Sequence, residues 1–164
     1  MNKPHVRPMK KSVNSAAIFP VVLKLLMAIS VCVVSELHAS TVLVGHRGGD
    51  TKLSPENTLA CLDKRYSAMV WGHEIDVRTT ADGDAILMHD ASVNRTTNGT
   101  GLVANLSTSY IRALDAGSWK GASFNGEQVP FLREALAAIK INGTRAYLDM
   151  KSATPESVRL AVTH

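Results

Sequence analysis

Two histidines and three carboxylates stand where short apolar runs end. Gly45-His46-Arg47-Gly48-Gly49-Asp50 follows the run Thr41 to Val44. Gly72-His73-Glu74-Ile75-Asp76-Val77 carries two acids in alternation, and Ile86-Leu87-Met88-His89-Asp90 ends on a second histidine beside an acid. Tyr147-Leu148-Asp149-Met150-Lys151 ends on an acid and a lysine. Side chains alternate along a strand, so Glu74 and Asp76 share one side, as do Tyr147, Asp149 and Lys151. Carboxylates gathered at one point repel unless a cation sits among them, and an oxygen-only set suits a hard divalent ion, Mg²⁺ or Ca²⁺. Glu74, Asp76 and Asp149 are therefore candidate metal ligands. Arg47 and Lys151 beside them would hold an anionic group, for which phosphate is the natural choice. His46 and His89 are candidates for the acid and base of phosphoryl transfer.

Each of these features alone has an ordinary explanation. Glu-x-Asp on a strand is usually a solvated face, and a His before Asp is usually a hydrogen-bonded surface group. Arg47 and Lys151 could be plain surface charges. The coincidence carries the argument: successive strand patterns end in charged or titratable groups, which is how the C-terminal rim of a (β/α) barrel is built.

The elements that must bring these ends together read as follows. Thr41 to Val44 is a run of apolar or β-branched residues, as in a strand buried on both faces. Ser54-Pro55-Glu56-Asn57 opens like a helix, with a capping Ser, Pro in the first turn and an acid next; Leu59, Leu62 and Tyr66 follow at helical spacing. Strands are expected over Met69 to Val77, Ala85 to Met88 and Arg145 to Met150, with a turn at Asp82-Gly83. Strand, helix, strand in this order predicts βα units around a parallel sheet. Residues 91–128 form a long polar, glycine-punctuated excursion, broken by one short helix over Ser107 to Leu114. Helices are expected from Phe131 to about Ile139, closed by Asn142-Gly143, and from Pro155 to Val162.

The formal charge of +4 and the isoelectric point near 9.2 come from the N-terminus. Lys3, Arg7, Lys10, Lys11 and Lys24 face only Glu36 there, and the remainder balances. The charge therefore gives no reason to expect nucleic acid or an anionic membrane as partner. Residues 1–39 have a basic opening, an apolar middle from Ala16 to Val34 and a small-residue exit at Ala39, the order of a secretory signal peptide. Met9-Lys10-Lys11 is the more usual start for such a leader. Lys24 interrupts the apolar stretch, so no stable membrane span is expected after cleavage, and the location expected is periplasmic or secreted. Cys32 lies in the leader and Cys61 stands alone outside it, which leaves no internal disulfide and makes Cys61 a small core residue.

The ordered set His46-Arg47-Gly48, Pro55-Glu56-Asn57-Thr58, Glu74-Ile75-Asp76-Val77, Thr80-Ala81-Asp82-Gly83 and His89-Asp90 closely resembles the glycerophosphodiester phosphodiesterases. So do Arg95-Thr96-Thr97-Asn98-Gly99, Leu114-Asp115-Ala116-Gly117 and Val129-Pro130-Phe131-Leu132. The resemblance runs from about Val42 to Lys151. It implies a TIM-type barrel with a small insertion after the third strand pattern. The implied reaction is hydrolysis of glycerophosphodiesters to an alcohol and glycerol 3-phosphate, in lipid and glycerol metabolism. It implies that His46 and His89 are the acid/base pair, that Glu74 and Asp76 bind the divalent metal and that Arg47 is a phosphate ligand. The family's later Glu-x-Lys is Asp149-Met150-Lys151 here, one methylene shorter at the acid. A TIM barrel typically takes about 250 residues, so residues 40–164 are expected to form roughly its first half. The alternatives are a non-catalytic truncated product of such a gene and a related barrel phospholipase.

Overall fold

The computed structural model describes residues 41–163, apart from the side chains of Lys64 and Arg65. The leader expected over residues 1–39, with Met9 and Cys32, lies outside the described residues.

Strand β2, Gly72–Thr79, is the centre of a four-stranded sheet. Its two edges carry different partners. On one, β1 (Val44–Gly45) pairs parallel at Val44↔Gly72 and Gly45↔His73, and β3 (Ala85–Leu87) pairs antiparallel from Val77↔Leu87 to Thr79↔Ala85. On the other, β4 (Arg145–Met150) runs parallel through six pairs, from Gly72↔Arg145 to Val77↔Met150.

The antiparallel β3 departs from the parallel strand expected of this run. The connection decides it. Thr80 to Asp84 is too short for a parallel crossover, which takes a dozen residues or more, so the chain turns straight back. Gly83 makes the reversal with φ +91°, and the Thr80 amide donates to the Asp84 carbonyl at 3.0 Å.

The helix expected over Ser54 to Tyr66 also differs. Residues 55–63 fold as successive turns, and only α1, Lys64–Ser67, is helical. Asn57 has φ +56°, outside the helical region, and its side chain bonds across to β2 instead of lying along a helix surface.

Alternation along β2 separates core from site. Ile75 and Val77 are fully buried against Leu132, Ala135 and Ile139 of α3 (Leu132–Ile141), and Val158 and Ala161 of α4 (Pro155–Thr163) pack on the same cluster. Glu74 and Asp76 consequently point to the opposite face. Strand β3 and Met88 just after it divide in the same way. Ala85 and Leu87 join this core, while Ile86 and Met88 face a second one with Val93, Val103, Ile111, Leu114, Ala116 and Val129. The excursion thus buries its own apolar face around β3.

Within it, α2 (Thr108–Arg112) starts at Ser107, whose Oγ accepts from the Tyr110 amide at 3.2 Å. Asp115 gathers the amides of Gly117, Ser118 and Gly126, and these bonds, Ser118's first, hold its carboxyl well below the usual range. Three polar ties join the excursion to the turns after β1: Lys120 Nζ to the Thr51 carbonyl (2.6 Å), the Ala60 amide to Glu127 (3.1 Å), and Arg95 to Glu56 (2.7 Å). Among the described residues no helix is long and apolar enough to cross a membrane.

Candidate active site

The inward face of the parallel strands collects the acids. Register places Asp76 directly beside Asp149, and Glu74 one step behind them on the same side. One carboxylate oxygen from each of Glu74, Asp76 and Asp149 lies within 4.8 Å of the others. Their exposure is graded, with Asp76 1% exposed, Glu74 22% and Asp149 45%. Asp76 is fixed at both ends: Asn57 Nδ2 donates to its Oδ2 at 2.7 Å, and its backbone amide donates back to Asn57 Oδ1 at 3.1 Å. Lys151 Nζ lies 2.6 Å from Asp149 Oδ2 and 3.3 Å from Asp76 Oδ1. The bond to Asp149, then the proximity of Asp76, raises the lysine pKa. The sequence-predicted phosphate ligand Lys151 is thus drawn into the acid cluster. Three carboxylates against one ammonium still leave a negative excess, and the donors are all oxygen. That set fits a hard divalent cation held by Glu74, Asp76 and Asp149.

Glu74 joins this cluster to the turn after β1. His46–Gly48 is a short 3-10 turn in which Arg47 is left-handed, φ +53° and ψ +40°. For a residue with a side chain this region costs on the order of 1–2 kcal/mol, so tertiary contacts must hold it. The Arg47 amide donates to Glu74 Oε2 at 2.7 Å, and its carbonyl accepts from the Asn57 amide at 2.8 Å. Gly49 allows the chain to leave this turn, because a Cβ there would meet the Cys61 carbonyl at 2.5 Å. His73, fully buried, supports the turn from beneath: its Nδ1 bonds the Gly48 carbonyl and its Nε2 faces Ser67 Oγ at 3.0 Å. Burial lowers the His73 pKa against the opposing pull of that carbonyl, which suits a neutral structural ring.

The Arg47 guanidinium reaches the other way. Its Nη1 bonds Glu56 at 3.1 and 3.3 Å, and its Nη2 lies 2.9 Å from His89 Nε2. A guanidinium only donates, so this nitrogen of His89 accepts, and the proton sits on Nδ1, which donates to Asp90 Oδ1 at 2.8 Å. Arg95 then bridges Asp90 and Glu56 with four bonds of 2.7–3.0 Å. Arg95 and His89 hold the Asp90 carboxyl well below the usual range. Burial would raise Glu56, but Arg95 and Arg47 outweigh it and bring its pKa down. Arg78 fixes the backbone here, donating to the His89 carbonyl at 2.7 and 3.1 Å. His89 is delivered to this position because the Met88 amide returns to the Asp76 carbonyl at 3.0 Å.

All seven sequence-predicted site residues therefore stand in one linked cluster. His46 is the loosest, 71% exposed, with Nε2 4.0 Å from Glu74 Oε2, beyond hydrogen-bond range. Sequence reasoning missed Glu56, Asn57 and Arg95 as site residues, although each stands in a motif it quoted. Only Asn57 carried a signal, since a turn Asn tends to bond away from its own helix; the burial that makes Glu56 seek a cation shows only in the structure.

The glycerophosphoryl diester phosphodiesterase family matches residues 46–160 of this chain. A glycerophosphodiester phosphodiesterase of Caldanaerobacter subterraneus is 38% identical over 112 residues, which is 68% of this chain and 46% of the relative. The human glycerophosphodiester phosphodiesterase 1 is 38% identical over 66% of this chain and 33% of its own length. The crystal structure of glycerophosphodiester phosphodiesterase from Agrobacterium tumefaciens aligns with a TM-score of 0.70 at 38% identity, over 76% of this chain and 53% of that one. An Oleispira antarctica phosphodiesterase, solved in complex with the product sn-glycerol-3-phosphate, aligns with a TM-score of 0.69 at 32% identity, over 76% and 52%. The chain thus spans about half the length, or less, of the relatives it matches. The parallel β1, β2 and β4, with α3 and α4 packed on one face, are staves of a (β/α) barrel of the TIM type, and the antiparallel β3 interrupts the parallel set. The chain belongs to the glycerophosphoryl diester phosphodiesterase family.

Proposed function

We propose that this chain carries the catalytic rim of a metal-dependent phosphodiesterase that hydrolyses glycerophosphodiesters to an alcohol and glycerol 3-phosphate. The observation that carries the reading is the meeting at Glu74. The same carboxylate belongs to the acid trio and accepts the Arg47 amide, so metal site and phosphate-binding arginine are built on one side chain. The product complex of the Oleispira relative supports the choice of substrate.

A divalent ion, Mg²⁺ or Ca²⁺, held by Glu74, Asp76 and Asp149 would polarise a phosphoryl oxygen. The chain's own groups do the rest. Arg47 presents a guanidinium whose Nε is buried with no hydrogen-bond partner among the described residues, and a phosphate oxygen would satisfy it. Lys151 adds a second cation at the opposite edge. Once Arg47 Nη2 exchanges its bond to His89 Nε2 for the phosphate, that nitrogen's lone pair, with the ring proton on Nδ1, accepts a proton from the attacking hydroxyl. Where the attacker is water the product is glycerol 3-phosphate directly; where it is the substrate's own glycerol hydroxyl, the cyclic phosphodiester formed is then opened by water. His46, open to solvent, protonates the leaving alkoxide. Asp90 orients the His89 ring by accepting the hydrogen bond from its Nδ1–H.

Residues 1–39 support export to the periplasm or beyond, and the product supports a place in lipid and glycerol metabolism. Determining the N-terminus of the mature chain in its host checks export; a retained leader overturns it.

The test of function is release of glycerol 3-phosphate by the purified chain from glycerophosphocholine and glycerophosphoethanolamine, with Mg²⁺, with Ca²⁺ and with chelator. Metal-dependent release is expected. A folded chain that binds the metal and releases nothing would favour the non-catalytic alternative, and cleavage of intact phospholipids instead would favour the barrel phospholipase.

A further inference from the structure

Five charged or titratable groups close a ring that begins and ends on His89. Nδ1 bonds Asp90 (2.8 Å), Asp90 bonds Arg95 (2.7 and 3.0 Å), Arg95 bonds Glu56 (2.7 and 3.0 Å), Glu56 bonds Arg47 (3.1 and 3.3 Å), and Arg47 returns to Nε2 (2.9 Å). Four members lie next to strand ends or in the turns after β1. Arg95 alone comes from the excursion. It sits in the Asn94-to-Gly101 loop, which is closed by Asn94 Oδ1 accepting from the Gly101 amide at 2.9 Å.

Arg95 holds two carboxylates at once, each through two bonds. Glu56 is only 9% exposed, and without Arg95 it would keep Arg47 as its one cation in the ring. Asp90, 31% exposed, has no other side-chain cation in the ring and would be free to turn toward water. Either movement loosens one nitrogen of His89.

We infer that Arg95 is a positioning residue for His89: by clamping Asp90 and Glu56 together it keeps the ring proton on Nδ1 and the Nε2 lone pair directed at Arg47. The excursion thereby sets the state of a group on the barrel rim. The inference rests on the reading of His89 as a proton acceptor, yet its readout needs no turnover.

The requirement is for a planar fork, not merely for charge. Lysine offers a point charge and cannot bond two carboxylates in the same flat geometry. A lysine replacement should therefore fail much as a neutral one does.

The test is two-bond ¹H–¹⁵N correlation of the histidine rings in the full chain, at a pH where His89 is neutral. The parent chain is expected to show His89 as a single Nδ1–H species. Arg95→Gln and Arg95→Lys should each lose that signature and show mixed Nδ1–H and Nε2–H forms, while the buried His73 ring keeps its pattern as the control for fold. In Arg95→Gly, millimolar guanidinium should restore the single form. Where substrate is turned over, kcat should fall by up to about 10²-fold, as for other misplaced groups, with KM little changed. An unaltered His89 tautomer in variants that keep the His73 pattern overturns the inference. Should both Arg95 variants lose the His73 pattern, Glu56→Gln, which leaves Arg95 on Asp90, carries the test through the other arm: an unchanged His89 there also overturns it. Loss of the tautomer with no phosphodiesterase activity in the parent chain would sink the functional reading and leave the positioning role standing.

Discussion

Arg47 and His89, 42 residues apart, meet through Nη2 and Nε2 at 2.9 Å. The contact fixes more than distance. Because the guanidinium has no lone pair to offer, the imidazole must be the acceptor, and its other nitrogen must carry the proton through which it donates a hydrogen bond to Asp90.

Removal of this ring should therefore be felt in chemistry and not in folding. His89→Ala is expected to lower kcat for glycerol 3-phosphate release by about 10²–10⁴-fold, the usual range for a general acid or base. Asp90→Asn should lose part of the same factor, because its amide can present a donor to Nδ1. Circular dichroism should show both variants folded. Near-normal turnover in His89→Ala would remove His89 from the mechanism.

Metal affinity should follow burial. Asp76 is the most enclosed ligand and is held by Asn57 on one oxygen, whereas Asp149 is half-exposed at the end of β4. Asp76→Asn is expected to weaken Mg²⁺ or Ca²⁺ binding by well over the 10–100-fold typical of a group that only supports a ligand, and Asp149→Asn by less. Isothermal titration calorimetry reads both. Equal losses would mean that exposure does not rank these ligands.

Acid should loosen the clasp around Arg95. The Asp90 and Glu56 carboxyls titrate lower in the folded chain than in the unfolded one. Depressed folded values mean that the unfolded chain takes up protons first as pH falls. Their stabilisation is therefore complete above the unfolded carboxyl range near pH 4, and is lost progressively below it. Urea midpoints measured from pH 7 down to pH 3 should fall less steeply in Arg95→Gln than in the parent chain. Parallel curves would show that the clasp adds nothing to stability.

Cys61 should be chemically silent until the chain opens. Its side chain is 2% exposed, and burial, with Asp50 and Glu56 nearby, pushes the thiol up to about 12. Iodoacetamide at pH 8 is expected to leave Cys61 unmodified in the folded chain and to alkylate it in urea, as read by peptide mass mapping. Fast labelling without denaturant would show that the turns over residues 55–63 open readily.

What sequence reading could reach was the chemistry carried by strand ends. Alternation put Glu74 and Asp76 on one face, and β4 falls over the residues expected, Arg145–Met150. The direction of β3 was readable as well, since Asp82-Gly83 marks a reversal too short for a crossover, but the barrel pattern drew that run into the parallel set. The turns over residues 55–63 were not readable from spacing. Leu59, Leu62 and Tyr66 have helical periodicity, and what overrides it is a distant partner, Asp76, which engages both the Oδ1 and the Nδ2 of the Asn57 side chain. Glu56 and Arg95 were hidden for a similar reason. A charge pair 39 residues apart has no local signature, and each residue alone resembles a solvated surface group.

The left-handed backbone of Arg47 makes two jobs separable. Its peptide N–H serves the acids and its guanidinium serves the histidine, and only the second needs a side chain. Glycine is the one residue that enters this conformation without penalty. Arg47→Gly should therefore keep metal affinity close to that of the parent chain while phosphodiester turnover disappears, whereas Arg47→Ala, burdened by the same φ, should erode both.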